Sequence, residues 1–538
     1  MRPPNPPPAF DELLTDPALR RVSGDGGERT ACAGLTDDSR DAVAGGVFVA
    51  RGSWSPRAKG FVEDAIARGV SAVVVPAAAW ESDPALREGL AGVAVAVADD
   101  VDQALAGRLA DAYFGHPARG LRLVGVTGTN GKTTVAMLTQ HLLRASGLKP
   151  GLLGTVWTDV GEEAGPRPAE LTTPGAIELR RHLAAMVSNG CDTAVMEVSS
   201  HALDQGRVAG LAFDAAVFTN LTQDHLDYHG TMDAYAAAKA RLFTMLKPQG
   251  WAVVNGDDPY AEVMVAGVSS GRVMRTRMGR GVTHDRADGP EQSASATPES
   301  LESDRSTARF DGPWGSASAT LPLVGEHNLS NALQAAAATH TLMRTSAREL
   351  RERLAACPPV PGRLEPVRRK DGRGPSVLVD YAHTPDALER VASTLKPLTE
   401  KRGGRLIVVY GCGGDRDRTK RPKMTDAALA FADHAVLTSD NPRSEDPQRI
   451  LDDAAAGLAA VRRDRLTIQV DRAAAIHAAI TGAAGQDTVL IAGKGHEDYQ
   501  VLADPPGAFG GATKKVHFDD REHAAAALRR WQPPAVAC

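Results

Sequence analysis

Short runs of apolar residues alternate along the chain with segments in which apolar positions recur at helical spacing. Near the N-terminus, strand-like runs at Val47–Ala50 and Ser71–Val75 stand on either side of a helical pattern at Phe61–Val70. A further helix is predicted near Asp102–Tyr113. This alternation predicts a small α/β unit, and HPARG, at His116–Gly120, predicts the linker that ends it.

A second α/β unit begins at the apolar run Leu121–Val126, which enters a Gly-rich turn and then a predicted helix, Thr133–Ser146. Two further strand-like runs, Thr193–Val198 and Ala215–Asn220, each end in polar residues. Ligands of open parallel sheets bind outside the carboxyl ends of the strands, so these polar residues are site candidates. Residues Arg277–Arg309 are rich in Gly, Ser, Asp and Glu, which predicts a partly mobile surface loop or hairpin insertion.

The Pro-rich segment Cys357–Arg363 predicts the start of a third unit. It repeats the pattern in SVLVDYAHTPDAL, RLIVVYGCGGDRD, HAVLTSDNPR and TVLIAGKGHED, each an apolar run that ends in a polar or Gly-rich loop. We therefore predict an α/β protein in which two successive doubly wound domains follow a smaller N-terminal one. The predicted boundaries give domains at residues 1–118, 119–357 and 358–538.

Composition narrows the class of protein. The chain has 538 residues, of which 43% are hydrophobic and 24% charged, so chain-wide disorder, a fibrous repeat and a small disulfide scaffold are excluded. The net charge of −5 argues against a nucleic-acid or anionic membrane partner. Five scattered cysteines without a CxxC pair favour a reducing compartment. We expect a cytoplasmic protein with a disordered Pro-rich tail at Pro3–Pro8 and neither signal peptide nor membrane span.

The strongest local motif is TGTNGKTT, at Thr127–Thr134, between a predicted strand and a predicted helix. Its glycines let backbone N–H groups face a phosphate, and the helix N-terminus adds partial positive charge. Lys132 is placed to reach the β- and γ-phosphates, and Thr133 to offer a hydroxyl to Mg²⁺. Val126 stands where a strict Walker A motif has Gly, so an ordinary Gly-rich turn is the alternative. We favour a P-loop-type central ATPase domain with a mostly parallel sheet.

Other polar residues leave two interpretations open. Glu197 follows a strand in the same domain and is a candidate metal ligand or an ordinary strand end. Lys239 lies on a predicted helix, where composition alone favours a solvated charge. Asp380 follows a buried strand and suits a ribose or base. DNPR, at Asp440–Arg443, suits an amino acid with its amine and carboxylate, or is an Asn-Pro turn.

The motifs GTNGKTT, MEVSSH, NLTQDHLDYHG, AYAAAK, DYAHTPD, GCGGDRD, DNPR and GKGHEDYQ, taken together, resemble those of the Mur ligases. They occur in the family's order from about Thr36 to the C-terminal region. The combination of GCGGDRD, DNPR and GKGHE resembles the members that add diaminopimelate, because lysine-adding relatives generally lack the Arg of DNPR.

The resemblance implies an N-terminal UDP-binding domain, a central ATPase domain and a C-terminal domain that receives the amino acid. It implies an ATP-dependent amide ligase with Mg²⁺ that adds diaminopimelate to UDP-MurNAc-L-Ala-D-Glu, by way of an acyl phosphate, in peptidoglycan precursor synthesis. We expect a monomer without nucleic-acid partner or membrane insertion.

The resemblance also implies roles for individual residues, carried over by motif position. The catalytic residues would be Lys132, Glu197, His225 and Lys239. The Mg²⁺ ligands would be Thr133, Glu197, His225 and Lys239, the last as N6-carboxylysine formed with CO2. ATP would contact Gly128, Thr129, Asn130, Gly131, Lys132, Thr133, Thr134, Asn328, Arg363 and Asp380. The UDP-MurNAc-dipeptide would contact Asp37, Ser39, Thr172, Thr173, Ser199, Gln205 and Arg207. Diaminopimelate would contact Arg416, Asp440, Asn441, Pro442, Arg443, Gly493 and Glu497.

Two rival functions remain to be weighed. The first is another amide ligase of the superfamily, lysine-adding or folate-type, against which GKGHE and DNPR argue. The second is a nucleotide switch that keeps the phosphate loop without turnover. Loss of Glu197, His225 or Lys239 would favour the switch, and all three residues are present.

Overall fold

The structure is a computed structural model that describes residues 8–23, 32–268, 272–279 and 291–533. Three parts of the chain that the sequence analysis considered therefore lie outside the described residues. They are most of the predicted Pro-rich tail, residues 280–290 of the predicted insertion, and Cys538. The chain divides into two compact units. The first comprises Met1–Ser295, Asp311–Gly315 and Asn331–Ser346, and the second Ala296–Phe310, Ser316–Ser330 and Ala347–Cys538. None of the helices in the described ranges is both long and apolar enough to span a membrane.

The strands are β1 Arg20–Ser23, β2 Leu35–Thr36, β3 Val47–Val49, β4 Ala72–Pro76, β5 Ala94–Ala98, β6 Arg122–Thr127, β7 Pro150–Leu153, β8 Trp157–Asp159, β9 Arg167–Pro168, β10 Thr193–Glu197, β11 Phe213–Phe218, β12 Leu246–Asn255, β13 Arg272–Met278, β14 Glu291–Leu301, β15 Ser306–Gly312, β16 Gly315–Leu321, β17 Glu365–Val367, β18 Ser376–Asp380, β19 Leu406–Cys412, β20 His434–Ser439, β21 Leu466–Ile468, β22 Thr488–Ala492, β23 Tyr499–Ala503 and β24 Thr513–His517.

The helices are α1 Phe10–Leu13, α2 Pro56–Ala67, α3 Ala77–Ser82, α4 Pro84–Gly89, α5 Gln103–Tyr113, α6 Lys132–Ala145, α7 Ala176–Ser188, α8 Ser200–Asp204, α9 Leu226–His229, α10 Met232–Thr244, α11 Ala261–Val265, α12 Glu326–Leu342, α13 Ala347–Ala355, α14 Pro385–Lys401, α15 Lys420–Phe431, α16 Pro447–Ala455, α17 Ala460–Arg463, α18 Arg472–Thr481 and α19 Asp520–Arg530. Two 3₁₀ turns, Ser39–Asp41 and Pro117–Gly120, lie in the N-terminal part of the chain.

The N-terminal sheet has the strand order β1-β5-β4-β3-β2, and only β1 runs antiparallel to its neighbour. Because side chains alternate between the faces of a strand, β4 presents Val74 to one core and Val73 and Val75 to another. Helix α5 covers the first face and α2 covers the second. The predicted small α/β unit is confirmed.

The central sheet has the order β16-β15-β14-β13-β12-β11-β6-β10-β7-β8-β9. Strand β6 lies between β10 and β11 and runs parallel to both, with Glu197 opposite Val126. Since parallel strands end at the same edge, the turn after β6 and the residue that ends β10 are neighbours. The topology thus brings two motifs together that stand about seventy residues apart in the sequence.

The insertion predicted at Arg277–Arg309 differs from a loop, and the hairpin alternative is the correct one for its described part. Strands β14 and β15 are joined by a tight turn in which the Glu302 N–H donates to the Arg305 carbonyl at 3.0 Å. Apart from Gln292 and Phe310, the side chains that they bury are small, such as Ala294 and Ala308. Small inward side chains give almost no hydrophobic alternation, which is why composition left a loop and a hairpin both open.

The last sheet has the order β17-β18-β22-β19-β20-β21, and every pairing except that of β17 with β18 is parallel. Alternate residues of its strands enter two cores. Helices α14, α15 and α16 contribute to one core, and α18 and α19 to the other. Helices on both faces make this a doubly wound α/β domain, as predicted. The boundaries at residues 118 and 357 stay a prediction.

Candidate active site

The turn between β6 and α6 requires glycine at two positions. Gly128 has φ +145° and Gly131 has φ +86°, which are conformations that residues with a Cβ rarely adopt. A Cβ on Gly128 would also lie 1.9 Å from Thr219 Oγ1, and one on Gly131 would lie 2.5 Å from Asn331 Oδ1. Both positions therefore require glycine, because of the backbone angles and because there is no room for a Cβ. A tight glycine-containing turn of this kind is typical of loops whose backbone N–H groups bind an anion.

Residues after β11 hold this loop in place. The Asn130 N–H donates to Asn220 Oδ1 at 3.0 Å, and Asn220 Nδ2 donates back to the Asn130 carbonyl at 3.0 Å. Thr219 Oγ1 donates to the same carbonyl at 2.6 Å, and the Thr129 N–H donates to the Asn220 carbonyl at 2.8 Å. The loop is thus preorganised by hydrogen bonds to the neighbouring strand.

Two lysines converge on one carbonyl of the loop. Lys132 Nζ donates to the carbonyls of Gly128 and Thr129, at 2.9 Å each. Lys239 Nζ, on α10, donates to the Gly128 carbonyl at 2.9 Å and lies 4.4 Å from the centre of the Tyr235 ring. Lys239 is buried, and burial together with the charge of Lys132 lowers its pKa well below the ordinary value of 10.5. Lys239 is therefore not the solvated charge that a helical lysine would normally be.

Glu197, at the end of β10, is buried and its carboxylate is surrounded by donors. Oε1 accepts from the Thr155 N–H at 2.7 Å, and Oε2 accepts from the hydroxyls of Thr155 and Thr133 at 3.0 Å each. A Cβ on Gly154 would lie 2.5 Å from Oε1, so that glycine makes room for the carboxylate. The structure thus brings Thr133 and Glu197 into contact, and their oxygens are of the hard type that Mg²⁺ prefers.

His225 has a left-handed backbone, with φ +53°, and its ring centre lies 4.8 Å from that of His201. Burial lowers the pKa of His225 below its ordinary value. Nearby Asp224 opposes this shift, while the charges of His201, Lys132 and Lys239 add to it. The imidazole is consequently neutral at neutral pH, the form that binds a metal or accepts a hydrogen bond.

Most residues that the resemblance assigns to the UDP-MurNAc-dipeptide form one network beside Glu197. Thr173 Oγ1 donates to the Glu197 carbonyl at 2.9 Å and accepts from the Ser199 N–H at 3.1 Å. Arg207 donates to the Thr173 carbonyl and to Gln205 Oε1, at 2.8 Å each. The Thr172 and Thr155 hydroxyls lie 3.1 Å apart.

Asp37 and Ser39 lie elsewhere in the same unit, near β2. Asp37 forms an ion pair with Arg51, a residue that the sequence analysis did not single out. Both of them line a cavity of about 440 Å³, which Thr36, Arg181 and His182 also border. Ser39 is buried at the start of the first 3₁₀ turn.

A cavity of about 520 Å³ lies among the loops that follow β18, β19, β20 and β22 in the second unit. Six of the seven residues assigned to diaminopimelate line this cavity, namely Arg416, Asp440, Asn441, Arg443, Gly493 and Glu497. The seventh, Pro442, is buried beside it, and a Cβ on Gly414 would lie 1.9 Å from the Pro442 carbonyl. Four separate loops therefore meet at one concave site.

The fully buried Lys494 connects the acidic side of this cavity. Its Nζ lies 3.1 Å from Asn441 Oδ1, 3.2 Å from Glu497 Oε2 and 3.6 Å from Asp440 Oδ1. Asp440 Oδ1 is buried and makes no hydrogen bond within the described residues. One ammonium thus faces two carboxylates, which leaves one negative charge and one acceptor oxygen for a ligand.

The basic side of the cavity is held by Arg443, whose backbone is left-handed with φ +54°. The guanidinium Nη1 of Arg443 donates to the Gly414 carbonyl at 2.8 Å, and the backbone N–H of Arg443 donates to the Val501 carbonyl at 2.9 Å. The buried Arg421 donates to Glu445 Oε1 at 2.9 Å, and this oxygen also accepts from the Asp415 N–H at 2.6 Å. These bonds join the GCGGDRD loop to the DNPR loop and fix the shape of the cavity.

Three residues that the resemblance assigns to ATP belong to the second unit. The buried Asp380 accepts from the N–H groups of Leu364 and Ala382 at 2.7 and 2.9 Å. Burial raises the pKa of Asp380, although Arg363 opposes the shift. The Arg363 guanidinium lies 4.8 Å from the centre of the Tyr381 ring. Asn328 lies on α12, and its Nδ2 donates to the Val324 carbonyl at 2.9 Å.

Comparisons with known proteins agree with this geometry. The family descriptions "Mur ligase middle domain" and "Mur ligase, glutamate ligase domain" match residues 126–339 and 362–495. A UDP-N-acetylmuramoyl-L-alanyl-D-glutamate–2,6-diaminopimelate ligase of Synechococcus elongatus is 44% identical over 508 residues, which cover 93% of this chain and 95% of the relative. The chain belongs to the Mur ligase family.

Other relatives of this Mur ligase extend the comparison. A protein of Geobacillus kaustophilus with the same name is 41% identical and covers 92% of this chain and 94% of its own. A solved structure, also of that name, has a TM-score of 0.64 and 32% identity, and covers 97% of this chain and 99% of its own. MurF from Acinetobacter baumannii, at 18% identity, has a TM-score of 0.62 with coverage of 90% and 96%, and shows the shared fold alone.

Besides Arg51, the sequence analysis did not single out Lys494 or Thr155, and it included Asn220 only as one of the polar residues that end a strand. Lys494 lies in GKGHE, a motif already noted, and its position after a strand was the available signal. Thr155, which donates twice to Glu197, has no such signal, because it follows a short strand in a motif without charge. Only the pairing of β7 with β10 places it there.

Proposed function

We propose that this Mur ligase uses ATP to add diaminopimelate to UDP-MurNAc-L-Ala-D-Glu, a step of peptidoglycan precursor synthesis. The observation that carries the proposal is the cavity lined by Arg443, Asp440 and Glu497, whose charges complement an amino acid with two amines and two carboxylates. Residues 1–118 would bind the UDP part, residues 119–357 ATP, and residues 358–538 the amino acid. We propose a cytoplasmic monomer without nucleic-acid partner.

A carboxylate reacts poorly with an amine, because hydroxide or oxide would have to leave. The carboxylate must therefore be activated first. ATP transfers its γ-phosphoryl group to the terminal D-Glu carboxylate, which gives an acyl phosphate. The amine of diaminopimelate attacks the acyl carbon, and the tetrahedral intermediate collapses with release of phosphate. No side chain of the protein needs to act as a nucleophile, so the protein's work is positioning, charge stabilisation and the exclusion of water.

The loop Gly128–Thr134 would bind the ATP phosphates through its N–H groups and the start of α6. Lys132 donates to two loop carbonyls, and these bonds would be exchanged for bonds to phosphate oxygens. The exchange places a cation where negative charge moves during phosphoryl transfer. Asn328, Arg363 and Asp380 would contact the rest of the nucleotide.

The oxygens near Glu197 fit a magnesium ion. Thr133 and Glu197 already lie in contact, and neutral His225 would supply a further ligand atom. Lys239 fits only if its amine is converted to a carbamate, whose oxygens would bind the ion. Bound Mg²⁺ would offset the charge of the transferring phosphoryl group.

The network of Thr173, Ser199, Gln205 and Arg207 supports binding of the dipeptide part of the UDP substrate. It adjoins Glu197 through the bond from Thr173 Oγ1 to the Glu197 carbonyl. A substrate carboxylate bound by Arg207 would therefore lie close to the residues that handle the phosphoryl group. Thr172 would join this network, and Asp37 and Ser39 would contact the nucleotide-sugar.

Charge counting in the second-unit cavity favours diaminopimelate over lysine. Arg443 and Arg416 would bind the distal carboxylate, and Asn441 and Gly493 would line the site. Asp440 and Glu497 would bind the distal ammonium, for which Asp440 Oδ1 leaves an acceptor because it makes no hydrogen bond within the described residues. Lysine would leave the guanidinium of Arg443 without a carboxylate, which is costly in a desolvated site.

A direct assay tests the function. Phosphate release should require UDP-MurNAc-L-Ala-D-Glu and an amino acid together, and mass spectrometry of the product should identify the acceptor. The panel should contain meso- and LL-diaminopimelate, lysine and glutamate. We expect release with diaminopimelate and little with lysine or glutamate. Release that ignores the UDP substrate would contradict the proposal, and equal use of lysine would refute the specificity while leaving the ligase assignment intact.

Arg443→Ala should raise the KM for diaminopimelate far more than the KM for ATP. Loss of a hydrogen bond to a charged group costs about 1.5–3 kcal/mol, or roughly 10- to 150-fold in affinity. Steady-state kinetics with each substrate varied in turn measure both constants. Arg449→Ala, an exposed arginine on α16, is the matched control and should change neither KM. An unchanged KM for diaminopimelate in Arg443→Ala would mean that DNPR is only a turn.

A further inference from the structure

A second cavity of the second unit, of about 590 Å³, is lined by none of the residues assigned above to a substrate. Three segments form its walls. They are the turn between β14 and β15 at residues 301–305, the connection from β17 to β18 at residues 366–377, and the last turn of α14 at residues 398–402. Its volume lies in the range of sites that bind small molecules.

The lining of this cavity is strongly basic, although the whole chain has a net charge of −5. Among the residues that the structure describes, two acidic ones line it, Glu302 and Asp304. The cationic residues that line it are Arg305, Arg368, Arg369, Arg373, Lys401 and Arg402. The excess of cations is therefore a local feature of the cavity and does not reflect the composition of the chain.

Carboxylates neutralise part of this charge. Asp304 pairs with Arg368 at 2.9 Å and with Arg305 at 3.2 Å, and Glu302 pairs with Arg305 at 3.1 Å. Arg369 pairs with a carboxylate that is not part of the lining, Asp371, at 3.0 Å. These pairs account for every acidic residue of the lining.

Three cations of the lining, Arg402, Arg373 and Lys401, form no ion pair with a carboxylate of the described chain. Arg402 donates only to neutral oxygens, Ser303 Oγ at 2.8 Å and the Gly485 carbonyl at 3.0 Å, so its guanidinium is held in position without being neutralised. The side chains of Arg373 and Lys401 form neither a hydrogen bond nor an ion pair with any described residue. The cavity thus combines one positioned guanidinium with two cations that are free to adjust.

The floor of the cavity is apolar, with Val377 buried and Leu398 partly buried. Behind Gly374, a Cβ would lie 3.6 Å from the Trp531 ring, so the wall is backed by an aromatic side chain. Guanidinium groups match the geometry of phosphate oxygens in particular.

We propose that this cavity binds a small molecule that carries a di- or triphosphate group. Three uncompensated cations match the charge of such a chain, and the cavity admits either a free polyphosphate or the phosphates of a nucleotide. The site is separate from the phosphate loop of the first unit and does not depend on the proposed reaction.

The test uses the full-length chain with the substitution Lys132→Ala, which weakens the binding of phosphate groups by the loop Gly128–Thr134. Tripolyphosphate is titrated into this protein by isothermal titration calorimetry. We expect saturable binding that weakens as salt is added. Adding Arg373→Glu and Lys401→Glu should weaken binding at least ~10-fold, about 1.4 kcal/mol. Both residues are exposed, so the fold should survive, and the milder Arg373→Gln with Lys401→Gln should give an intermediate loss.

The control is Arg449→Glu with Arg463→Glu, which makes the same change of net charge at exposed positions outside the cavity lining. This control should keep the affinity of the Lys132→Ala protein. Competition by ADP would identify a nucleotide as the source of the phosphates, and binding of tripolyphosphate alone would identify a free polyphosphate. Absence of binding at ~10 mM would overturn the proposal, as would equal losses in the cavity variant and the control.

Discussion

Replacing Lys132 by alanine should lower turnover by at least two to three orders of magnitude and leave the unfolding transition in place. A preorganised donor to charge that develops in the transition state contributes about 3–4 kcal/mol. Lys132 Nζ is held at 2.9 Å from the carbonyls of Gly128 and Thr129, at the start of α6. We therefore expect Lys132 to exchange these two bonds for bonds to the γ-phosphoryl group while the backbone of the loop stays in place.

The measurement is kcat and the KM for ATP, with a thermal melt on the same samples. Lys149→Ala is a suitable control, because Lys149 Nζ also donates to a backbone carbonyl, that of Asn189, but Lys149 is exposed and follows the C-terminal end of α6, whereas the loop lies at its N-terminal end. The control should keep wild-type turnover. Unchanged turnover of Lys132→Ala with a normal melt would refute the phosphate-loop assignment.

Lys239→Ala should be nearly inactive and should regain part of its activity with formate or acetate. Burial and the neighbouring Lys132 lower the pKa of Lys239 well below 10.5, which raises the fraction of lysine present as the neutral amine that reacts with CO2. The amine attacks the carbon of CO2 and loses a proton, and the product is a carbamate with carboxylate oxygens. A small added carboxylate can occupy the space that alanine leaves and supply the same type of oxygen.

Lys239→Arg should be as inactive as the alanine variant, and carboxylates should not rescue it. Its guanidinium stays cationic and fills the space beside Tyr235. Activity is measured with and without formate, and in buffer depleted of CO2 and then supplied with bicarbonate. Mass spectrometry under native conditions should detect one added CO2 on the wild type. Full activity of Lys239→Ala without additive would limit this lysine to a structural role.

Sequence reasoning could propose residues for a phosphate site but not the contacts among them. Lys132 and Thr133 were proposed from a motif, since the chemistry of a phosphate loop restricts which residues it uses, and the structure shows that Thr133 contacts Glu197. Thr155 donates twice to Glu197 because β7 ends next to β10 at that position. No local sequence pattern predicts where two paired strands end relative to each other. The same holds for Lys494, whose partners come from two different loops.

The sequence by itself determined inner strands of the three sheets, because continuous apolar runs such as Leu121–Val126 are stable only when buried on both faces. It also determined the turn at Gly128–Thr134, because glycine alone tolerates the required angles. Only the tertiary structure decided that β14 is a strand, that Lys239 is buried beside Lys132, and that uncompensated cations surround a second cavity. The burial of a side chain, its pKa and the compensation of its charge depend on neighbours that are distant in the chain. A local sequence pattern cannot predict which residues these neighbours are.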